Sequence, residues 1–235
     1  MNLLLFSNST NAGEPYFSYP LPYIRQFLGA KPLQALFIPY AAVTFSFDEY
    51  EAKVKERFLS IGHDLISIHH FNNPMEAVEN AEVIVTGGGN TFHLLRLLQQ
   101  NKLIEPIRKK VLNGTPYIGW SAGSNVTCPT ICTTNDMPIV EPNGFKAFNL
   151  LPFQINPHYT DIVPHGFAGE TRDQRIAEYL AANPAISVVG LREGTLFRYE
   201  NGKLGLQGPY KAKIFKAGEP AFELSESDSF QFLMN

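Results

Sequence analysis

The chain has little cysteine, little charge and no long hydrophobic run. Its two cysteines, Cys128 and Cys132, have no second Cys or Cys/His pair nearby to complete a metal site, and we interpret them as reduced thiols. Charged residues make up 17% of the chain, below the roughly 25% of an average soluble domain. The 19 Lys and Arg residues form no basic stripe. The low charge and the scattered basic residues argue against nucleic acid as a partner.

The sequence also lacks the features of a membrane or secreted protein. No apolar stretch approaches the ~20 residues that a membrane-spanning helix needs. The opening apolar run, residues 3–6, is shorter than the roughly 7 to 15 residues of a secretory signal. We therefore expect a cytoplasmic protein with no membrane partner and with small molecules as its ligands.

What is present is the composition of a folded globular protein. Hydrophobic residues make up 44% and aromatic residues 12% of the 235 residues, and the formal net charge is only -3, which excludes an intrinsically disordered chain. At about 100 to 200 residues per domain, this length means one large domain or two small ones. Because neither an internal repeat nor a linker is visible, we expect a single domain over residues 1–235.

Short apolar runs alternate with amphipathic segments, which predicts an α/β fold with a mostly parallel sheet and helices on both faces. The predicted strands of the first half are residues 2–6, 33–38, 65–68, 83–85 and 116–120. The predicted helices between them are residues 21–28, 47–61, 74–80 and 91–112, the last broken near Asn101. After a proline-rich middle third, a helix at 171–182 and strands at 186–191, near 196–199 and at 212–215 are predicted.

The sequence Gly-Trp-Ser-Ala-Gly at residues 119–123 matches the nucleophile-elbow pattern Gly-x-Ser-x-Gly. It follows a predicted apolar strand and precedes a helix start, where such an elbow belongs. The tight turn needs small neighbours because the serine is held in a strained conformation with its Oγ exposed. Ser121 is therefore the candidate nucleophile, and an ordinary glycine-rich turn is the alternative.

A second glycine turn, Gly-Gly-Gly-Asn at residues 87–90, directly follows another predicted strand. It fits neither a dinucleotide fingerprint nor a P-loop, whose Lys is missing here. Its backbone N–H groups suit either a phosphate or an oxyanion, and a plain turn with Asn90 as the helix cap is the alternative. Because both turns lie at carboxyl ends of strands, where α/β sheets place their ligands, an oxyanion hole is favoured.

A serine nucleophile needs a base, and two of the six histidines are candidates. His158 follows Pro157 at the end of an apolar segment, and His165 is its competitor. The other four, His63, His69, His70 and His93, are interpreted as surface or packing residues.

The third member of a triad is a carboxylate that orients the imidazole. Glu193 follows the strand predicted at 186–191, and Asp136 and Asp161 are alternatives. The order Ser121, His158, Glu193 places the acid last, unlike the Ser, acid, His order of α/β-hydrolases. The order Ser121, Asp136 or Asp161, His165 follows the α/β-hydrolase order, and spacing alone does not decide between the two.

Several motifs in this order resemble the peptidase E, or α-aspartyl dipeptidase, family. Besides the two glycine turns they are Thr-Thr-Asn-Asp-Met-Pro at 133–138, Gln-Ile-Asn-Pro-His at 154–158 and Gly-Glu-Thr-Arg at 169–172. The resemblance runs from residue 3 to about residue 219, nearly the whole chain. It implies a serine peptidase on a flavodoxin-like or class I glutamine amidotransferase-like sheet.

Carried over by motif, the resemblance implies Ser121 as nucleophile, His158 as base and Glu193 as orienting acid. The oxyanion donors correspond to the backbone N–H groups of Gly89 and Ala122. No metal and no organic cofactor is implied.

The family releases an N-terminal aspartate from dipeptides, so a free amino group and a β-carboxylate both need partners. Arg172 is the candidate for the β-carboxylate, because a guanidinium binds a carboxylate through two hydrogen bonds. Asp136 is the preferred partner of the amino group and Glu170 is the alternative, although Glu170 also suits a helix cap. Asn90, at the second glycine turn, is counted with these predicted substrate-binding residues.

Two other functions remain as alternatives to an α-aspartyl dipeptidase. One keeps the fold and the triad but cuts β-aspartyl bonds, as in cyanophycinase-like or isoaspartyl peptidases. The other is a non-catalytic module that binds a small anion at Ser121 and the glycine turn. The leaving-group preference and the oligomeric state are left open by the sequence.

Overall fold

The apolar runs of the first half of the chain form the parallel centre of a sheet. The computed structural model describes residues 1–163, 165–166 and 168–234. Its strands in chain order are β1 (Asn2–Phe6), β2 (Gln34–Ile38), β3 (Asp64–Ser67), β4 (Val83–Thr86), β5 (Pro116–Trp120), β6 (Gln154–Tyr159), β7 (Val188–Arg192), β8 (Leu196–Glu200), β9 (Lys203–Gln207), β10 (Ala212–Phe215) and β11 (Phe222–Leu224).

The helices lie where the amphipathic segments predict them. In chain order they are α1 (Pro20–Leu28), α2 (Phe47–Ser60), α3 (Pro74–Asn80), α4 (Thr91–Gln100), α5 (Ile104–Leu112), α6 (Ala122–Asn125) and α7 (Arg172–Ala182), with 3₁₀ helices at Ile68–His70 and Gln231–Met234. The break expected near Asn101 is the turn between α4 and α5. Among the described residues, none of these helices has the length and apolar character that crossing a membrane requires.

The main sheet has seven strands in the order β3-β2-β4-β5-β1-β8-β9. The first five in this order are parallel, and β8 and β9 add an antiparallel edge beside β1. In β1, Leu3 and Leu5 belong to one hydrophobic cluster while Leu4 and Phe6 belong to another. Because neighbouring residues of a strand point to opposite faces, both faces of the sheet are buried. The predicted fold class is confirmed.

The two hydrophobic clusters show which helices cover each face. Buried side chains of α1 and α2 pack with Leu4 and Phe6, and those of α3, α4 and α5 pack with Leu3 and Leu5. Helices therefore lie on both faces of the sheet, as predicted.

A second, separate sheet has the order β11-β10-β7-β6, and the local sequence patterns do not predict this separation. Its β6 and β7 are parallel, whereas β10 pairs antiparallel with β7 and with β11. Buried residues of this sheet, including Ile155, Val189 and Ile214, belong to the same cluster as Leu3 and Leu5. The two sheets thus share one core, and the carboxyl ends of β6 and β7 are held close to those of β1 and β5.

The two cysteines lie in the chain after α6. Both are free thiols, Cys128 buried and Cys132 exposed. Burial raises the pKa of the Cys128 thiol to about 12, which keeps it protonated and unreactive at neutral pH.

Candidate active site

Ser121 stands at the carboxyl end of β5 in a strained turn. Its backbone has φ 52° and ψ -113°, a conformation that non-glycine residues rarely adopt. Both flanking glycines are required by close backbone contacts: a Cβ on Gly119 would lie 2.4 Å from the Gly123 carbonyl oxygen, and a Cβ on Gly123 would lie 2.1 Å from the Thr86 carbonyl oxygen. The Gly-x-Ser-x-Gly pattern is therefore explained by packing around the serine.

The second glycine turn lies directly against this elbow. A Cβ on Gly88 would lie 3.1 Å from the Ser121 Cβ, and a Cβ on Gly89 would lie 2.3 Å from the Ala41 carbonyl oxygen. Gly89 has φ 135°, which only glycine adopts without strain. Among the described residues, neither the Gly89 N–H nor the Ala122 N–H donates a hydrogen bond. The two predicted oxyanion donors are thus beside Ser121 and available.

Tyr50, on α2, fixes the orientation of this glycine turn. Its buried hydroxyl donates to the Gly88 carbonyl at 3.0 Å and accepts from the Trp120 indole N–H at 3.0 Å. Burial raises the pKa of Tyr50, so the phenol stays protonated and able to donate. In a trans peptide the C=O and the next N–H point in opposite directions. By holding the Gly88 carbonyl, Tyr50 therefore sets the direction of the Gly89 N–H.

A β-bulge presents His158. Between the paired positions Asn156–Gly190 and Tyr159–Arg192, strand β6 has two residues where β7 has one. His158 lies in this bulge with φ 52°. Its backbone N–H donates to Ser7 Oγ at 2.8 Å, and that hydroxyl donates to the Leu191 carbonyl at 2.7 Å. The bulge and Ser7 together hold the histidine backbone in place.

Glu193 directly follows β7, one residue beyond the position opposite Tyr159. The next N–H, that of Gly194, donates to Asn8 Oδ1 at 2.9 Å and fixes the turn. Glu193 Oε1 lies 2.6 Å from His158 Nδ1, and His158 Nε2 lies 2.8 Å from Ser121 Oγ. The three residues predicted as a triad are therefore brought into one continuous chain of hydrogen-bonding contacts.

The competing residues lie elsewhere or are otherwise engaged. His165 is exposed in a turn. Asp161 forms an ion pair with Arg192 at 2.6 Å, which lowers the pKa of its carboxyl. Asp136 Oδ2 accepts from the Thr91 N–H and hydroxyl at 2.7 and 2.6 Å. Among these histidines and carboxylates, the geometry favours His158 and Glu193.

A cavity of about 430 Å³ opens in front of Ser121. Its lining includes Gly89, Asp136 and His158. While one Asp136 oxygen is bound at the start of α4, no described residue makes a hydrogen bond to the other. Asn90 caps α4 by accepting from the His93 N–H, and its amide donates to the Met137 carbonyl. The structure thus gives Asn90 a capping role, and substrate binding by Asn90 stays a prediction.

Arg172 and Glu170 are not among the residues that line the Ser121 cavity. Both line a separate cavity of about 320 Å³ beside Ile162, and Arg172 also lines a smaller one of about 150 Å³ to which Asp136 contributes. Among the described residues, Arg172 has no ion pair. Burial and then the nearby Arg175 lower the pKa of its guanidinium. Glu170 lies 3.8 Å from Arg175, in an exposed contact. The roles assigned to Arg172 and Glu170 stay predictions.

Three residues of this site were not singled out from the sequence: Ser7, Asn8 and Tyr50. Ser7 and Asn8 lie in the opening segment that contributes to the family resemblance, just after a predicted strand that ends beside β5. Polar residues directly after the carboxyl end of a buried parallel strand indicate a functional position, and this pattern could have identified Ser7 and Asn8. Tyr50 lies inside an amphipathic helix, where no local pattern distinguishes it from a packing residue.

Comparisons with known proteins show the family to which this chain belongs. Residues 3–207 match the sequence model of "Peptidase family S51". A protein named peptidase E from Nostoc sp. (strain PCC 7120) is 51% identical over 232 residues, covering 99% of this chain and 96% of the relative. The chain belongs to peptidase family S51. A second relative, a protein named peptidase E from Salmonella arizonae, is 47% identical over 230 residues, which cover 98% of this chain and 100% of the relative.

Two solved structures share the fold. One is a putative peptidase E from Listeria monocytogenes EGD-e, with a TM-score of 0.66 and 21% identity over 89% of this chain and 98% of that one. The other is a peptidase from an acI-B1 Actinobacterium, with a TM-score of 0.68 and 18% identity, and the match covers 97% of this chain and 96% of that one. The chain thus has the flavodoxin-like fold that the family resemblance implied, and its membership of family S51 makes it a peptidase.

Proposed function

We propose that this peptidase is a serine exopeptidase that releases the N-terminal aspartate of Asp-Xaa dipeptides. The observation that carries the proposal is the position of His158 between Ser121 Oγ at 2.8 Å and Glu193 Oε1 at 2.6 Å. A serine, an imidazole and a carboxylate in this order are the parts of a nucleophilic triad, whatever their order in the chain. The names of the relatives, peptidase E, support the same activity.

The proposed reaction begins when Ser121 Oγ attacks the scissile carbonyl carbon. His158 Nε2 takes the hydroxyl proton, and Glu193 stabilises the imidazolium that forms. The oxygen of the tetrahedral intermediate is held by the N–H groups of Gly89 and Ala122, because both are close to the serine and neither donates to another described residue.

The second half of the reaction releases both products. His158 gives its proton to the leaving amine, so the C–N bond breaks and an aspartyl ester remains on Ser121. Water, deprotonated by His158, then hydrolyses the ester and restores the hydroxyl of Ser121. The strained backbone of Ser121 keeps Oγ exposed to substrate throughout these steps.

Selection of aspartate requires one group for the side chain and one for the free amino group. Arg172 is proposed to bind the β-carboxylate, because it is a partly desolvated cation without an ion pair among the described residues. Asp136 is proposed to bind the amino group, since it lines the cavity in front of Ser121 and has one carboxylate oxygen not used at α4. Glu170 remains the alternative for the amino group.

The test is release of free aspartate from Asp-Leu, compared with Glu-Leu, N-acetyl-Asp-Leu and β-Asp-Leu. We expect turnover of Asp-Leu alone, and its loss in Ser121→Ala. N-acetylation removes the charge that Asp136 binds, so turnover of that substrate at the rate of Asp-Leu would contradict the amino-group site. Cleavage of β-Asp-Leu in preference to Asp-Leu would move the protein to the β-aspartyl peptidases.

Absence of any turnover would favour a module that only binds a small anion. Labelling of Ser121 by a fluorophosphonate separates these outcomes, because only an activated serine reacts. Labelling of Ser121 without turnover of any dipeptide would support the proposed triad but contradict the proposed dipeptide substrate.

A further inference from the structure

Four side chains outside the candidate active site form a compact His and carboxylate cluster. Asp48 and Glu51 lie in the first turns of α2, and His69 and His70 lie in the 3₁₀ helix that follows β3. One donor atom from each side chain lies within 4.8 Å of all the others. None of the four lines the cavity in front of Ser121, and the proposed reaction uses none of them.

The distances within the cluster lie around those that separate the ligands of one metal ion. His69 Nε2 lies 2.9 Å and His70 Nε2 lies 3.9 Å from Asp48 Oδ1, while His70 Nε2 lies 2.5 Å from Glu51 Oε2. In a tetrahedral zinc site with bonds of about 2.0 to 2.2 Å, neighbouring donor atoms are about 3.3 to 3.6 Å apart. Because the observed distances fall on both sides of this value, small side-chain rotations suffice to coordinate an ion.

Ser67 orients two of the four side chains from outside the cluster. Its Oγ lies 2.6 Å from His69 Nδ1, and its backbone N–H donates to Glu51 Oε1 at 2.8 Å. These contacts leave His69 Nε2 and Glu51 Oε2 directed at the cluster. Protein metal sites hold their histidine and carboxylate ligands in this way, through a second hydrogen bond on the far side of each ligand.

The exposure of the four side chains leaves an entry path on one side. Glu51 and His69 are 12% and 21% exposed, whereas His70 and Asp48 are 44% and 77% exposed. Two ligands are therefore fixed in the protein, and two lie at the surface where an ion arrives from solvent.

We propose that Asp48, Glu51, His69 and His70 bind a divalent transition-metal ion, for which Zn²⁺ is the best match. Imidazole nitrogens select Zn²⁺ and its neighbours over Ca²⁺ and Mg²⁺, which prefer all-oxygen sites. Two carboxylates neutralise the ion, and four protein ligands complete a tetrahedron. The bound ion links the start of α2 to the end of β3. Since α2 also carries Tyr50, the ion stabilises the helix that orients the second glycine turn.

The test is calorimetric titration of Zn²⁺ into the full-length protein after chelator treatment. We expect one equivalent to bind, and Ca²⁺ and Mg²⁺ to show no such binding. His70→Gln and Asp48→Asn remove ligands and should each weaken binding by more than about 10-fold. Ser67→Ala keeps all four ligands but loses the Oγ contact to His69, and should weaken binding by about 10- to 100-fold.

Control variants exclude the other groups that bind Zn²⁺. Cys132→Ser and His158→Gln should both retain the one-equivalent site, because their side chains lie outside the cluster. Asp64→Asn, a matched surface carboxylate paired with Lys55, should also retain it. Thermal unfolding in the presence of chelator checks that the cluster variants are folded.

The proposal is overturned if the wild-type protein takes up no equivalent of Zn²⁺, or if folded His70→Gln binds it as tightly as wild type. Loss of the site in Cys132→Ser or His158→Gln would also overturn it. Because these measurements use no peptide substrate, they are independent of the proposed dipeptidase activity.

Discussion

The residues proposed to break the bond and those proposed to select the substrate are held in different ways. Ser121 and His158 have strained backbones fixed by hydrogen bonds to the end of β1, and Glu193 lies in a turn fixed by Asn8. Arg172 instead is the first residue of α7, and Glu170 lies just before that helix, where its described contact with Arg175 is an exposed one of 3.8 Å. The groups proposed to react are thus held at the ends of the sheet strands, whereas Arg172 and Glu170, both proposed for substrate selection, lie at the start of α7.

This difference has a direct consequence for substitutions. A change in the sheet-bound residues should lower kcat, because it removes groups that act on the reacting atoms. A change at Arg172 should act mainly on substrate preference, because a positioning charge contributes to binding and orientation. Each of the following experiments tests one side of this division.

Ser121→Ala should have the largest effect. It removes the nucleophile but adds no strain, since alanine takes the place of another non-glycine residue. We expect kcat/KM for Asp-Leu to fall by about 10⁴-fold or more, with the unfolding temperature unchanged. A residual rate near that of wild type would mean that another group carries the reaction.

Glu193→Gln should have the next largest effect. The amide keeps the shape of the side chain but loses the charge that stabilises the His158 imidazolium, so we expect kcat to fall by about 10³- to 10⁴-fold. Asp161→Asn is the matched control, because Asp161 is the alternative acid but is paired with Arg192. If Asp161→Asn lowered kcat more than Glu193→Gln, the assignment of the acid would be reversed.

Arg172→Ala should reduce the preference for aspartate. Loss of a hydrogen-bonded charge contact costs about 1.5 to 3 kcal/mol, so we expect the ratio of kcat/KM for Asp-Leu and Asn-Leu to fall by about 10- to 100-fold. Arg175→Ala removes a neighbouring exposed arginine and serves as the control. An unchanged ratio in Arg172→Ala would show that aspartate is selected elsewhere.

Tyr50→Phe should have the smallest effect on activity and should act on kcat alone. When the Tyr50 hydroxyl is removed, the Gly88 carbonyl loses its hydrogen-bond donor. The Gly89 N–H is then less well directed at the proposed oxyanion, so we expect kcat to fall by about 10-fold while KM is retained. The lost buried hydrogen bonds should cost about 1 to 3 kcal/mol of stability.

Tyr40→Phe is the control for that variant. Tyr40 is also buried, in the hydrophobic cluster on the other face of the main sheet, but its hydroxyl makes no hydrogen bond among the described residues. Equal falls of kcat in the two variants would contradict a specific role for Tyr50.

The sequence predicted the parallel sheet well because its strands are buried on both faces. Strands β1 and β5 and helix α3 have the predicted bounds, since apolar runs and a proline mark them clearly. Strands β9 and β11 were not predicted, because one is half-exposed and the other is only three residues long. Division into two sheets depends on long-range pairing, which local patterns do not encode.

The candidate site was predictable in its residue types and not in its geometry. Ser121 has a local signature, because close backbone contacts force glycine at two fixed positions around it. The bulge at His158 has none, since it depends on the register between β6 and β7. His69 and His70 were interpreted as surface or packing residues, because their closeness to Asp48 depends on how β3 lies beside α2.

The hydroxyl of Ser7 joins parts of the chain that are synthesised far apart. It contacts residues 151 and 184 positions later, at His158 and Leu191. A nascent chain that has not reached Glu193 lacks the acid of the proposed triad, and a chain whose first strand is unpaired lacks the Ser7 contact that holds the His158 backbone. The proposed triad is therefore complete only when β6 and β7 have been brought beside the end of β1.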